Sequence, residues 1–113
     1  MRSKTLSFRK NFHVVFSTVR AQAAEMTIAP GESEGGAENR HSKADQWLFV
    51  VSGAGIARIE GRSRRLKPNV LVLIEHGDRH EIRNTGRAPL RTLNFYVPRA
   101  YGPRGATLPA GRE

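Results

Sequence analysis

Residues 39–53 read Asn39-Arg40-His41-Ser42-Lys43-Ala44-Asp45-Gln46-Trp47-Leu48-Phe49-Val50-Val51-Ser52-Gly53. From residue 46 the run is apolar, aromatic and β-branched, and Gly53 stops it, so it reads as a strand. Period two puts Gln46, Leu48, Val50 and Ser52 on one face and Trp47, Phe49 and Val51 on the other. An antiparallel strand with one solvated face alternates apolar and polar residues. Here both faces are largely apolar. The strand is therefore covered twice, once by the core and once by the N-terminal segment or a second subunit.

Outward from this strand, short β-type runs recur between Gly, Pro, Asn and Asp. Residues 13–19 are rich in Val, Phe and Thr, and residues 23–29 are stopped by Pro30-Gly31. Residues 31–40 (GESEGGAENR) read as a polar, glycine-rich loop. Residues 55–60 turn at Gly61, and residues 64–66 stop at Pro68. Residues 70–74, 80–84 and 90–97 complete the series. About eight strands at this spacing, with no helical period and no crossover helix, indicate an all-β antiparallel sandwich or barrel. We expect a basic segment at 1–11, one domain at 12–101 and a loose Gly/Pro-rich tail at 102–113.

The chain has 113 residues, 38% hydrophobic and 26% charged, which suits one folded domain rather than a disordered segment. It contains no cysteine, which excludes disulfides, thiolate metal sites and a cysteine nucleophile. No apolar run approaches the roughly 18 residues of a membrane helix. The opening MRSKTLSFRK is basic but is followed by no apolar stretch, so a signal peptide is not expected and a cytoplasmic location is. Lys and Arg outnumber Asp and Glu 19 to 10, a net charge of +9. The densest groups are Arg62, Arg64 and Arg65, then Arg2, Lys4, Arg9 and Lys10. Few aromatics lie among them to stack on bases. They read first as a solvated surface, with an anionic small-molecule ligand or weak nucleic-acid binding as the alternatives, and nucleic acid is not an expected partner.

A polar set stands out against this pattern. Gln46 opens the face continued by Leu48 and Val50, so it points into the core, where a polar group needs a partner. His41 lies five residues before it. In 80–84, His80, Ile82 and Asn84 share a face, and Glu81 and Arg83 form the natural solvent face. His41, Gln46 and His80 near strand starts can converge on one ion; imidazole suits zinc, copper, iron and nickel, and an amide oxygen can complete the set. The plainer reading of an inward histidine is a hydrogen-bonded core residue, and Asn84 before Thr85-Gly86 fits a turn. His76 reads as exposed, and His13 has no visible partner.

These residues resemble the two motifs of the cupin superfamily. The first motif ends in a glycine preceded by a glutamate and, further back, a His-x-His pair. Aligned on Gly53, its glutamate position falls on Gln46, its second histidine on His41 and its first on Asn39. The second motif, Pro-x-Gly followed by His and Asn, is matched by Gly77, His80 and Asn84, with Glu75 in place of the proline. The resemblance spans about residues 23–97 and implies a small single-domain cupin, a double-stranded β-helix of jelly-roll type. It carries metal-ligand roles onto Asn39, His41, Gln46 and His80, with zinc, nickel, iron or manganese as the ion. A neutral glutamine replaces the usual carboxylate, which implies weaker binding of a divalent ion and a raised reduction potential.

The resemblance implies a small-molecule ligand in the barrel. It is consistent with a metal-dependent oxygenase, isomerase or lyase, or with a non-catalytic sugar-binding, metabolite-binding or metal-sensing module. Glu25 and Glu38 are the carboxylates considered for a general base, each equally readable as a solvated side chain. Glu75 is expected to be exposed and out of contact with the ion. A homodimer is expected through the Trp47 face. The N-terminal segment would add a strand across the two-fold axis, or else cover its own subunit.

Overall fold

The computed structural model describes residues 1–9, 11–36 and 43–101. They form nine strands, all paired antiparallel: β1 (Phe12–Ser17), β2 (Gln22–Ile28), β3 (Ser33–Gly36), β4 (Asp45–Ser52), β5 (Gly55–Ile59), β6 (Arg62–Leu66), β7 (Leu71–Ile74), β8 (His80–Asn84) and β9 (Leu90–Val97). A five-stranded sheet runs β1-β2-β9-β4-β7 and a four-stranded sheet runs β3-β8-β5-β6. Between them lies an apolar core built by Leu48, Val50, Leu90, Met26 and Ile28 from one sheet and Ala57, Leu66 and Ile82 from the other. This is the expected all-β jelly roll. No helix among the described residues is long and apolar enough to cross a membrane.

The turns follow from local chemistry. Glu60 and Gly61 both take positive φ, 48° and 79°, the two-residue hairpin turn whose twist matches the flanking strands. Thr18 ends β1, its hydroxyl accepting from the amides of Arg20 and Ala21. Asn84 behaves as the turn residue the sequence suggested. Its amide donates to the Ile28 and Ala88 carbonyls at 2.8 Å each and accepts from Gly86 N, tying the β8–β9 turn to β2.

One expectation is corrected. Part of the 31–40 stretch read as loop is a strand: Ser33–Gly36 pairs with β8, Gly36 opposite His80 and Ser33 opposite Arg83. Ser-Glu-Gly-Gly carries no β-branched or aromatic residue. It forms an edge strand through backbone pairing alone, which side-chain patterning does not report.

The N-terminal residues lie on their own subunit in this structure, over the outer side of β1 and β2. Lys4 Nζ donates to the Val15 carbonyl at 3.2 Å, Phe8 N to Glu25 Oε1 at 3.1 Å, and Thr27 Oγ1 to the Phe8 carbonyl at 3.0 Å. Arg2 and Lys4 sit over the Phe16 ring. This cover does not reach β4. Trp47, Val51, Leu71, Leu73, Phe95 and Val97 are exposed large apolar residues, and the registers Trp47 opposite Leu73 and Phe95 place them side by side. Residues 102–113, the expected tail, lie outside the described residues.

Candidate functional site

At the end of the sandwich where β4 and β8 begin and β9 finishes, the apolar core gives way to a cavity of about 160 Å³. Met26, Phe12 and Ile82 supply its apolar wall, and Glu34, Gln46, His80, Tyr96 and Tyr101 its polar groups. Parity puts these groups there. Gln46 precedes Leu48 and Val50 on the inward face of β4, and His80 precedes Ile82 on that of β8. Tyr96 closes the inward series Leu90, Thr92, Asn94 on β9 and lies directly opposite Gln46.

Gln46 is 3% exposed. Its Nε2 donates to Asn94 Oδ1 at 2.9 Å, and Asn94 Nδ2 donates to Thr92 Oγ1 at 2.9 Å. Gln46 Oε1 is buried without a hydrogen-bond partner among the described residues. Such an orphan carries a desolvation cost of about 1–3 kcal/mol, and sites that bind ligands are where such costs persist.

His80 is also buried. Burial holds its imidazole below the ordinary histidine range, the Asp78 carbonyl opposing the shift, so the ring is neutral at pH 7. Its Nδ1 lies 3.3 Å from that carbonyl. A carbonyl only accepts, so in this contact the Nδ1 is the donor. Burial also pushes the Tyr96 and Tyr101 phenols up, Tyr96 strongly, so both stay protonated. Tyr101 is held over the site by Gln22. The Gln22 amide accepts from Ala100 N and Tyr101 N at 2.8 Å each and donates to the Tyr101 carbonyl.

The described ligand candidates are thus brought to one cavity: Gln46 and His80. Asn39 and His41 lie outside the described residues, as does Glu38. Among the described residues no group of three or more His, Cys, Asp or Glu side chains is placed to hold a metal. Glu75 is exposed, as expected. His76 is exposed too, and its Nδ1 and backbone N both contact Asp45 Oδ1, at 2.9 and 2.8 Å.

Glu25 needs correction on two counts. It is buried, not solvated, and it does not line the cavity. Odd parity on β2 turns it to the outer side, where Phe8 N and Ser7 Oγ donate to it and His13 Nδ1 lies 3.6 Å away. His13 therefore has a partner that the sequence did not show. The described carboxylate at the cavity is Glu34, on the strand read as loop. Thr92, Asn94 and Tyr96 were also missed, although period two in residues 90–97 places them on one face with Leu90.

A sandwich of two antiparallel sheets with a polar cavity at one open end is the architecture of a jelly roll. The chain belongs to the cupin family: residues 24–96 match the cupin domain. It is 33% identical over 76 residues to the tetracenomycin polyketide synthase protein TcmJ of Streptomyces glaucescens, covering 67% of this chain and 50% of that protein. The chain therefore spans half the length of that relative. Among solved structures, a Bacillus halodurans protein is 26% identical with a TM-score of 0.77, covering 88% of this chain and 77% of the other. KdgF from Halomonas sp. is 25% identical with a TM-score of 0.71, covering 78% and 77% of the two chains.

Proposed function

We propose that the cavity binds one divalent transition-metal ion through His41, Gln46 and His80, with Asn39 as a fourth ligand or hydrogen-bond donor, and that the protein acts there on a small molecule. The observation that carries this reading is the Gln46 carbonyl oxygen, buried without a hydrogen-bond partner among the described residues, in the cavity that the His80 imidazole also lines. An imidazole nitrogen and an amide oxygen fit zinc, nickel, iron or manganese. Such an ion, when bound, supplies Lewis acidity toward a carbonyl or water, or a site for O₂.

The chain's own groups define the rest. Tyr96 and Tyr101 are protonated phenols at the cavity, the Tyr96 hydroxyl donating to that of Tyr101, and Glu34 is the described carboxylate that lines it. Met26, Phe12 and Ile82 exclude water from one wall. The volume admits an ion with a ligand of a few heavy atoms, or the end of a larger one. The likeness to a polyketide synthase protein supports small-molecule chemistry and leaves the reaction class open among oxygenase, isomerase and lyase.

One observation favours a second reading, a non-catalytic metabolite-binding or metal-sensing module: neither described ligand candidate is a carboxylate. A turnover screen of small carbonyl compounds and hydroxy acids, with and without chelator, separates the two. Chelator-sensitive turnover supports the enzyme. Binding without turnover across the screen supports the module. Absence of zinc, nickel, iron and manganese binding by untagged protein contradicts the enzyme and the metal sensor and leaves the metabolite-binding module. We also propose a homodimer through the exposed apolar face of β4, β7 and β9, located in the cytoplasm.

A further inference from the structure

Gln46, Asn94 and Thr92 form a buried chain of polar side chains that ends in the cavity. Leu48 lies opposite Asn94 and Gln46 opposite Tyr96, so Asn94 is the diagonal cross-strand neighbour of Gln46 on the inward face. As placed, Gln46 Nε2 donates to Asn94, Asn94 Nδ2 donates to Thr92, and Gln46 Oε1 is left over.

Every link in this chain can be reversed. An amide has a donor at one end and an acceptor at the other, and a hydroxyl does both. If both amides turn over and the Thr92 hydroxyl rotates, Thr92 Oγ1 donates to Asn94 Oδ1 and Asn94 Nδ2 donates to Gln46 Oε1. Gln46 Nε2 then faces the cavity. Two hydrogen bonds exist in either state, so the relay itself does not choose between them. A carboxylate at position 94 would remove this freedom, because it only accepts at pH 7.

We propose that Gln46, Asn94 and Thr92 are a reversible amide relay, through which the cavity offers an acceptor oxygen to a divalent cation or, metal-free, an N–H donor to a ligand carboxylate. The cation state rests on the metal reading above; the carboxylate state does not. The surroundings suit both occupants. The hydroxyls of Tyr96 and Tyr101, hydrogen-bonded to each other, line the cavity, and Glu34 is the one described lining group that opposes an anion. The relay makes the two occupants compete for one side chain.

The test uses full-length, untagged, chelator-stripped protein, with Zn²⁺ and formate as separate probes. The Gln46 side-chain amide protons are followed by NMR. With Zn²⁺ they should show contacts to Asn94; with formate they should move to the His80 and Tyr96 ring protons. In Asn94→Asp, whose carboxylate holds Gln46 Nε2 toward position 94, formate affinity should fall roughly tenfold or more, the loss of one hydrogen bond to a charged group, while Zn²⁺ affinity is not reduced. The proposal is overturned if wild-type protein binds no formate, or if the Gln46 amide protons stay on Asn94 with formate bound. It is also overturned if Asn94→Asp binds formate as wild type does. If Asn94→Asp does not fold, the wild-type NMR contacts decide. Failure of Zn²⁺ binding alone contradicts the metal reading and leaves the formate result to judge the relay.

Discussion

Single residues at the open end of the sandwich divide into those that meet the cavity and those that brace its rim, and substitutions should separate the two. Glu75 stands where the family motif has a proline, and it is exposed on the turn leading to β8. Glu75→Ala should leave Zn²⁺ affinity within about twofold, whereas His80→Ala should lower it by about a hundredfold or more, at or beyond the upper end of the roughly 10–100-fold that losing a hydrogen-bond partner of a ligand costs. Equal losses in isothermal titration would contradict the assignment. The Asp45–His76 pair braces the rim. Hydrogen bonding to His76 holds the Asp45 carboxyl below its ordinary 3.8, and hydrogen bonding to Asp45 raises His76 above 6.5. A lowered carboxylate contributes stability above its unfolded pKa and loses it as pH falls through the folded value. A raised histidine contributes below its unfolded pKa and loses it as pH rises through the folded value. The wild-type advantage over Asp45→Asn in melting temperature should therefore be largest between those limits, near pH 5–6 by the ordinary values of 3.8 and 6.5, and shrink on both sides. A difference that keeps growing above pH 8 would contradict the pairing. The inward turn of Gln46 and His80 was legible because each begins a run whose next members are apolar. Asn94 and Thr92 obey the same period, but their meaning depends on the register that sets β9 against β4, which no local pattern carries. Glu25 was illegible for a similar reason: the segment that buries it lies 17 and 18 residues away in sequence.

At the scale of elements, the turn after β4 shows which constraints a pattern reveals. Gly53 takes φ 95°, and a Cβ there would meet Pro89 O at 2.6 Å and Leu90 Cα at 2.8 Å, both backbone. Gly61 takes a similar φ of 79° with nothing within 4 Å. Gly61→Ala should thus pay only the left-handed penalty, about 1–2 kcal/mol. Gly53→Ala adds a backbone clash and should cost about 3 kcal/mol or more. Urea denaturation of the two variants checks the order; equal midpoints would show that the β4–β5 turn can shift. The sequence marks both glycines as turns without distinguishing them, because the distinction is made by β9. Strands built from β-branched residues were legible. The glycine-rich β3 was not, since an edge strand with no core side chain to contribute is held by backbone hydrogen bonds to β8.

Across the whole molecule, polarity is segregated. The outer face of β4, β7 and β9 carries Trp47, Leu73, Leu71 and Phe95, while the outer face of the four-stranded sheet carries Arg58, Arg65 and Arg83. Soluble monomers rarely expose a contiguous apolar face of this kind. Light scattering at micromolar concentration should give twice the chain mass of 12.6 kDa, and Trp47→Glu should halve it. A wild-type mass of one chain would contradict the dimer. The two-sided apolar character of β4 made this need for cover legible from residues 46–52, but not what supplies it: residues 1–9 lie over β1 and β2, and β4 remains open. Metal content tests the assignment of the cavity most directly. Untagged protein equilibrated with Zn²⁺ and desalted should retain one ion per chain by elemental analysis. The His41→Ala, His80→Ala double variant should retain none, with an unchanged β-type circular dichroism spectrum and thermal unfolding still cooperative. A double variant that holds as much zinc as wild type, or a wild-type protein that holds none, would contradict it.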